Sequence, residues 1–289
     1  MTAITPTLEK RATATVIIKA GARRNDPYSV FQRKKRLGRA LAWVAPVLVL
    51  LSWQISSDTG LVDKRTFTSP TEVGEAFWTL ATNGVLFENL AVTVQRIGIG
   101  YVSGAVVGIV VGLALGWSIL MRSAVRPMIR ALQTAPTLGL FPLFMMIFGL
   151  GETAKYLIVA KGMGVLVALA VIDAVAAVPT AYIEAAKSLG CSKWAFFTEV
   201  ILPASLERII TALRIGIGIG VLSTIGVEFI AANEGVGRII WTSWNLFLPA
   251  QMWVGIITSC LLGVVGNMLV DLLQRLVMPW QREGDRVVS

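Results

Sequence analysis

The sequence contains no histidine and only two cysteines, and only 15% of its 289 residues are charged. Without histidine, the chain lacks the side chain that most often serves as general base or metal ligand. Cys191 and Cys260 do not have the spacing of a metal site, and we expect no disulfide between them. So few charges could not cover the surface of a soluble domain of this length. These absences argue against a soluble protein and against a membrane-embedded enzyme.

A P-loop for nucleotide binding is also missing. That motif requires a glycine, four residues, a second glycine, and then lysine followed by serine or threonine. Lys187 is the only lysine that serine or threonine follows, and Ala186 occupies the position that must be glycine. We therefore expect no ATP hydrolysis and no cofactor in this chain.

Apolar residues, by contrast, make up 55% of the chain, and the mean hydropathy is +0.71. A membrane-spanning helix needs about 20 mostly apolar residues. The sequence therefore predicts an all-α integral membrane protein with about six spanning helices. We interpret the first apolar run as a retained helix, because it is too long for a cleaved signal peptide. The six segments are Leu41–Ile55, Ile97–Trp117, Ala131–Leu150, Tyr156–Val178, Ile209–Ala231 and Met252–Leu273.

Lysine and arginine are distributed unevenly between the two sides of these spans. Nineteen lie at the termini and in the loops on the same side, and six lie on the opposite side. Because positive loops stay inside the cell, this predicts cytoplasmic termini and a cytoplasmic segment at 179–208. Ten of the basic residues precede Ala40. We interpret 1–40 as a cytoplasmic membrane anchor rather than an arm for nucleic acid.

Three shorter patterns complete the outline. Residues 69–72, Ser-Pro-Thr-Glu, predict a helix start, and the apolar spacing that follows predicts an amphipathic helix on the membrane surface. The basic residues of Met121–Arg130 predict a short loop. Glycines at every fourth position of the second span form a groove that fits another helix, either as static packing or as a moving contact. These glycines are Gly100, Gly104, Gly108, Gly112 and Gly116.

The segment 179–208 predicts a compact helix–turn–helix. Pro179 stops the preceding span, and Thr180 can cap a new helix. Gly190 ends that helix, because glycine readily adopts the left-handed conformation. Ser192 can cap a second helix, which Pro203 ends or bends.

This segment resembles the conserved cytoplasmic loop of bacterial ABC-importer permeases. The family pattern is Glu-Ala-Ala, three residues, glycine, nine residues, an aliphatic residue, one residue, and Leu-Pro. A looser similarity to the nitrate, sulfonate, taurine and bicarbonate branch runs from about Ser69 to Pro279. The matching loop residues are Glu184, Ala185, Ala186, Gly190, Val200, Leu202 and Pro203.

The resemblance implies the type I ABC importer fold in a bacterial inner membrane. It implies a second permease subunit, expected to be an identical copy, and an extracytoplasmic binding protein. Two ATPase subunits would bind ATP and Mg, and nucleic acid is not an expected partner. The predicted organisation is the segment 1–40, a first span and external helix within 41–88, a permease core at 89–279, and a cytoplasmic tail at 280–289. The coupling loop 179–208 lies within this core.

The same resemblance implies roles for individual residues. The loop would be the coupling helix that docks on an ATPase, with Glu184 as the polar contact. The other docking residues would be Ala185, Ala186, Leu189, Gly190, Leu202 and Pro203.

The implied substrate is a small anion such as a sulfonate, taurine, nitrate or bicarbonate. Lys161, Glu228 and Met145 are candidates for the substrate path, since ionisable groups within a membrane are often functional. Lys161 could instead reach the outer interface from a helix end. The alternative function is a secondary transporter driven by an ion gradient.

Overall fold

In a computed structural model of the protein, the structure describes residues 27–61, 63 and 67–279, and the regular elements among them are helical. The chain divides into two units, Met1–Trp53 and Gln54–Ser289. Predictions for the residues before Pro27 and for the tail 280–289 lie outside the described residues. Within those described are α1 (Pro27–Asp58), α2 (Pro70–Thr82), α3 (Val85–Trp117), α4 (Ile119–Thr134), α5 (Phe141–Phe148), α6 (Glu152–Ala176), α7 (Thr180–Ser188), α8 (Lys193–Ala231), α9 (Val236–Asn245) and α10 (Pro249–Val277).

Four of these helices, α3, α6, α8 and α10, are long and apolar enough to cross a membrane. A fifth span results if α4 is joined to Leu138–Phe148, although the two parts meet at an angle of 84°. The apolar part of α1, Val44–Asp58, is shorter than a full span. The expectation of an all-helical membrane protein is therefore confirmed.

The region around α4 differs from the expectation. Met121–Arg130 was predicted to be a loop, and that prediction is wrong because these residues belong to α4. The three arginines of this stretch recur at every fourth position, which is the spacing of one helix face. The chain then breaks sharply between Thr134 and Leu138, where Pro136 has no N–H to continue a helix.

The core of the second unit is built around α6, which packs against α3, α4, α5 and α8. Apolar side chains from several faces of α6 are fully buried, among them Ile158, Met163, Val167 and Val171. A spanning helix with apolar side chains on most of its faces is suited to this central position, because it meets neighbouring helices on most sides. The packing holds both ends of α6 in place, and the segments described in the next subsection adjoin these ends.

The glycine stripe of α3 is the surface that meets α6. A Cβ added at Gly104 would lie 2.5 Å from the carbonyl oxygen of Ala160, and one added at Gly108 would lie 2.6 Å from that of Gly164. Real Cβ atoms do not approach carbonyl oxygens so closely, so the two helices depend on glycine at these positions. The contact extends along α3 to Gly112, where an added Cβ would lie 2.6 Å from Cβ of Val171. This geometry supports the static-packing interpretation.

Alanine at Gly104 is expected to lower the free energy of unfolding by about 1–3 kcal/mol, because the new methyl group must push two backbones apart. Gly98 provides a matched control on the same helix, since an added Cβ there meets nothing within 4 Å. Gly98→Ala should leave stability unchanged or raise it by up to about 1 kcal/mol through helix propensity. Unfolding by SDS titration of the two purified variants measures both values. Equal stability changes in the two variants would contradict the close contact.

The predicted helix start at Ser69 is confirmed. Ser69 caps α2, accepting a hydrogen bond from the backbone N–H of Glu72 at 3.3 Å, while the Glu72 carboxylate accepts one from the Ser69 N–H at 3.0 Å. Val73 and Leu80 are buried, and α2 packs against α10. The reciprocal cap fixes where α2 begins.

Candidate functional site

The loop between α6 and α8 forms the helix–turn–helix expected from the sequence. The helix α7 ends in a Schellman motif, in which Cys191 N–H donates to the Ala186 carbonyl at 3.0 Å and Gly190 N–H donates to the Lys187 carbonyl at 3.1 Å. Gly190 has φ +69°, a conformation that favours glycine. One detail of the prediction is wrong. Thr180 does not cap α7, because the cap position falls on Pro179, which has no side-chain donor or acceptor.

Most of the residues expected to dock an ATPase lie on one open surface. Glu184, Ala185 and Gly190 are exposed, and Leu189 is 81% exposed. Ala186 is buried and faces the bundle, while its carbonyl holds the bend. The bend therefore presents a large apolar side chain beside a glycine with no neighbour within 4 Å of its Cβ position.

The second half of the loop differs from the prediction in how it ends. Ser192 caps the following helix, as expected, by accepting a hydrogen bond from Ala195 N–H at 3.1 Å. Pro203 does not end that helix, which continues to Ala231. Within this helix, a π-helical turn at Phe196–Ile201 precedes Pro203. Such a turn shifts the hydrogen-bond register and thereby accommodates a proline that has no N–H to donate.

Leu202 and Pro203 lie just after the π turn, partly buried in the body of α8. The structure therefore separates these two predicted docking residues from the exposed bend. Beside them, Trp117 at the end of α3 contacts Phe197 edge-on, with 5.5 Å between ring centroids. Trp194, in turn, stacks at 5.9 Å on Phe197. Sequence reasoning gave Trp117 and Phe197 no role, since only the fold brings them together.

The opposite end of the bundle contains a buried network of charges. Arg96 of α3 is 3% exposed and donates two hydrogen bonds to the Glu152 carboxylate, at 2.7 and 2.8 Å. Its third nitrogen donates to Glu228 Oε1 at 2.9 Å and to the Glu234 carbonyl at 2.7 Å. Lys155 adds a further ion pair with Glu152 at 2.7 Å. One guanidinium thus joins α3, α6, α8 and the segment before α9.

Glu228, a candidate for the substrate path, is 0% exposed at the centre of this network. Besides Arg96, its carboxylate accepts hydrogen bonds from Thr93 Oγ1 at 2.9 Å and from Gly237 N–H at 2.8 Å. A Cβ at Gly235 would lie 2.3 Å from the Glu228 side chain. The carboxylate is therefore enclosed by partners that anchor the start of α9.

Lys161 lies in the middle of α6, away from both of these regions. Its Nζ donates to the Ala135 carbonyl at 3.1 Å and to Thr137 Oγ1 at 3.3 Å, both in the break after α4. Met145, the other path candidate, is partly buried against the cluster around Phe141. The structure thus places Lys161, Glu228 and Met145 in three separate environments.

The structure also defines the surroundings of Asp173 and of the two cysteines. Asp173 near the end of α6 pairs with Arg126 at 2.5 Å, and its carbonyl accepts a hydrogen bond from Arg208. Both cysteines are free and exposed. Among residues 27–61, 63 and 67–279, no group of three or more His, Cys, Asp or Glu side chains could hold a metal ion.

The same fold occurs in a solved amino acid ABC transporter. One of its chains aligns with 68% of this chain and 96% of its own length, with a TM-score of 0.55 and 20% identity. A family model described as binding-protein-dependent transport system inner membrane component matches residues 104–283. The family model identifies the class of protein as a permease subunit of an ABC importer, a membrane component without enzymatic activity of its own, and the fold agrees with it.

The chain belongs to this family of binding-protein-dependent transport system inner membrane components. It is similar to SsuC of Escherichia coli K12, a permease named for aliphatic sulfonates, with 35% identity over 86% of this chain and 94% of SsuC. It is also similar to the taurine transport system permease protein TauC of the same organism, with 29% identity over 88% of this chain and 99% of TauC. The expected family is confirmed, and the protein is a multi-pass inner-membrane permease of the sulfonate, taurine and nitrate group.

Proposed function

We propose that this permease carries a small oxyanion, with sulfonates as the first candidates, and that a separate ATPase drives it through the bend at Gly190. Two permease subunits, two ATPase subunits and an extracytoplasmic binding protein would make up the importer. Both termini and the bend would face the cytosol. The observation that carries this proposal is the exposed Schellman bend, in which Leu189 stands beside Gly190.

A rigid connection from the bend to the spans supports coupling through this loop. The bend leads directly into α8, a helix of 39 residues that continues to the charge network at the other end of the bundle. A movement of the bend would therefore be passed along one continuous helix rather than lost in a flexible linker. Rocking of packed helices around a central path is an established way to alternate access.

The sulfonate proposal rests on similarity to SsuC and TauC and on Lys161, a positively charged side chain within the bundle. Lys161 and Met145 remain candidates for the path, and we assign Glu228 a structural role because its carboxylate is already paired. An anion moving between spans gains from an ammonium group that no carboxylate neutralises.

Transport by the complete complex in proteoliposomes tests the proposal. The complex contains this permease, an ATPase subunit that copurifies with it and the binding protein. Uptake of radiolabelled taurine or methanesulfonate should require ATP and should stop when a non-hydrolysable analogue replaces it. Uptake that persists without ATP, as long as an ion gradient is intact, would favour a secondary transporter instead.

A further inference from the structure

Lys161 stands out among the basic side chains of the bundle because of what surrounds it. Arg96, Arg126, Lys155 and Arg214 each form an ion pair with a carboxylate. Lys161 has no carboxylate within ion-pair distance among the residues that the structure describes, and its two hydrogen bonds go to neutral oxygens. An ammonium group has three donors, so one N–H is left over.

The position of Lys161 makes this lack of compensation costly. It is the tenth residue of α6, which places it about 14 Å along the helix from Glu152 at its start. Lys161 is partly buried, and a cation within a membrane is stabilised mainly by a partner of opposite charge or by several hydrogen bonds. The carbonyl of Ala135 and the hydroxyl of Thr137 provide partial compensation and fix the direction of the side chain. A mobile anion would supply the missing charge.

A second observation comes from buried hydroxyl groups on the neighbouring helix. Ser223 of α8 is 6% exposed, and its hydroxyl forms no hydrogen bond within the described part of the chain. Ser223 Oγ lies 3.7 Å from the point where a Cβ on Gly162 would be, and the methyl group of Thr137 lies 3.7 Å from the same point. The unused hydroxyl and Thr137 therefore lie on the same side of Gly162, the residue that follows Lys161. At the next position, Thr224 is 1% exposed, and its hydroxyl also has no hydrogen-bond partner among the described residues.

Gly162 and the helix break together bring these groups close to one another. A Cβ on Gly162 would already contact Ile219 at 3.4 Å as well as Ser223 and Thr137, and in the 84° break after α4 Ala135 and Thr137 accept hydrogen bonds from Lys161 of α6. An irregular backbone within a membrane is tolerated where it lines a cavity or a path. Thr137, whose hydroxyl accepts a hydrogen bond from Lys161, and the unused hydroxyl of Ser223 thus both lie next to Gly162, the residue that follows Lys161.

We propose that Lys161, Thr137 and Ser223 form a transient binding site for the oxyanion group of the transported substrate. This inference rests on the proposed import of a small oxyanion and adds the position at which the protein holds it. A sulfonate presents three oxygens, which can accept hydrogen bonds from the ammonium and both hydroxyls at once. One lysine binds more weakly than an arginine fork, and weak binding allows the anion to leave again.

The test compares uptake with ATP hydrolysis in the reconstituted complex, using taurine and methanesulfonate as probes. Lys161→Gln should lower the amount of anion imported per ATP hydrolysed at least tenfold, while ATP hydrolysis stimulated by the loaded binding protein stays within twofold. Lys161→Arg keeps the charge and should stay within threefold of the wild type. Ser223→Ala should lower the ratio about threefold. Arg126→Gln removes a paired cation elsewhere and should leave the ratio unchanged.

Each result decides between the two proposals. A wild-type ratio in both Lys161→Gln and Ser223→Ala overturns the oxyanion site and leaves ATP-driven import standing. Equal losses in the Gln and Arg variants, accompanied by a lower melting temperature, would assign Lys161 to supporting the helix break and would also overturn the site. If Lys161→Gln does not fold, the ratio in Ser223→Ala decides. If the complex uses ATP to import only a neutral substrate, the oxyanion site is contradicted. If the wild-type complex shows no ATP-dependent uptake, the importer proposal itself is contradicted.

Discussion

Replacing Gly190 with arginine is expected to abolish ATP-driven uptake while the protein still inserts into the membrane. Within the described part of the chain, the Cβ position of Gly190 meets nothing within 4 Å, so the new side chain starts from an open surface. It would project from the surface next to Leu189, where we place the ATPase. The positive φ adds about 1–2 kcal/mol of strain, which lowers stability without preventing folding. Copurification of the ATPase and uptake in proteoliposomes measure the loss.

Gly60→Arg is the matched control for this variant. Gly60 also has a positive φ, +73°, and among the described residues an added Cβ there also meets nothing within 4 Å. It lies just after α1, well away in sequence from the 179–208 loop. Gly60→Arg should keep both ATPase copurification and uptake. Normal uptake in Gly190→Arg, or an equal loss in the two variants, would contradict docking at the bend.

Replacing Arg96 with methionine should produce the largest loss of stability among single substitutions in the bundle. Arg96 holds the carboxylates of Glu152 and Glu228 together at 3% exposure. Its removal leaves Glu228 buried with no opposite charge, and breaking a buried ion pair from one side costs about 3–5 kcal/mol. The free energy of unfolding, measured by SDS titration, should fall by that amount.

Arg126→Met provides the comparison for Arg96→Met. The pair between Arg126 and Asp173 is partly exposed, with side chains 34% and 44% accessible, so its loss should cost less than about 1 kcal/mol. A double variant, Arg96→Met with Glu228→Gln, should recover part of the loss because no uncompensated charge remains. Independent, additive effects of these two substitutions would show that the pair does not stabilise the bundle.

The loop could be predicted from the sequence because its signals are local. Gly190 and Ser192 act through hydrogen bonds to residues at most five positions away, so single-residue preferences determine the bend. Of the two effects predicted for Pro203, ending the helix is wrong, because the effect of this proline depends on the preceding turn. The sequence predicts that proline interrupts a hydrogen bond, but not that a π turn at Phe196–Ile201 absorbs the interruption.

The charge network could not be predicted in the same way. Arg96 and Glu228 are separated by 132 positions, and only the packing of α3 against α8 brings them within 2.9 Å. Glu228 was marked as unusual because it lies within a predicted span, whereas Arg96 precedes the predicted span Ile97–Trp117, and nothing in the sequence assigns either residue its partner. A comparable signal was missed in α4, where Arg122, Arg126 and Arg130 follow helical spacing although their charge suggested a loop.

The central claim, that the bend faces the cytosol and seats on a separate ATPase, can be tested at Cys191. This residue is exposed and directly follows Gly190, and the other cysteine can be removed as Cys260→Ser. A membrane-impermeant maleimide should label Cys191 in inverted membrane vesicles but not in intact cells, and bound ATPase should protect it. Labelling in intact cells, or equal labelling of inverted vesicles with and without ATPase, would contradict the account.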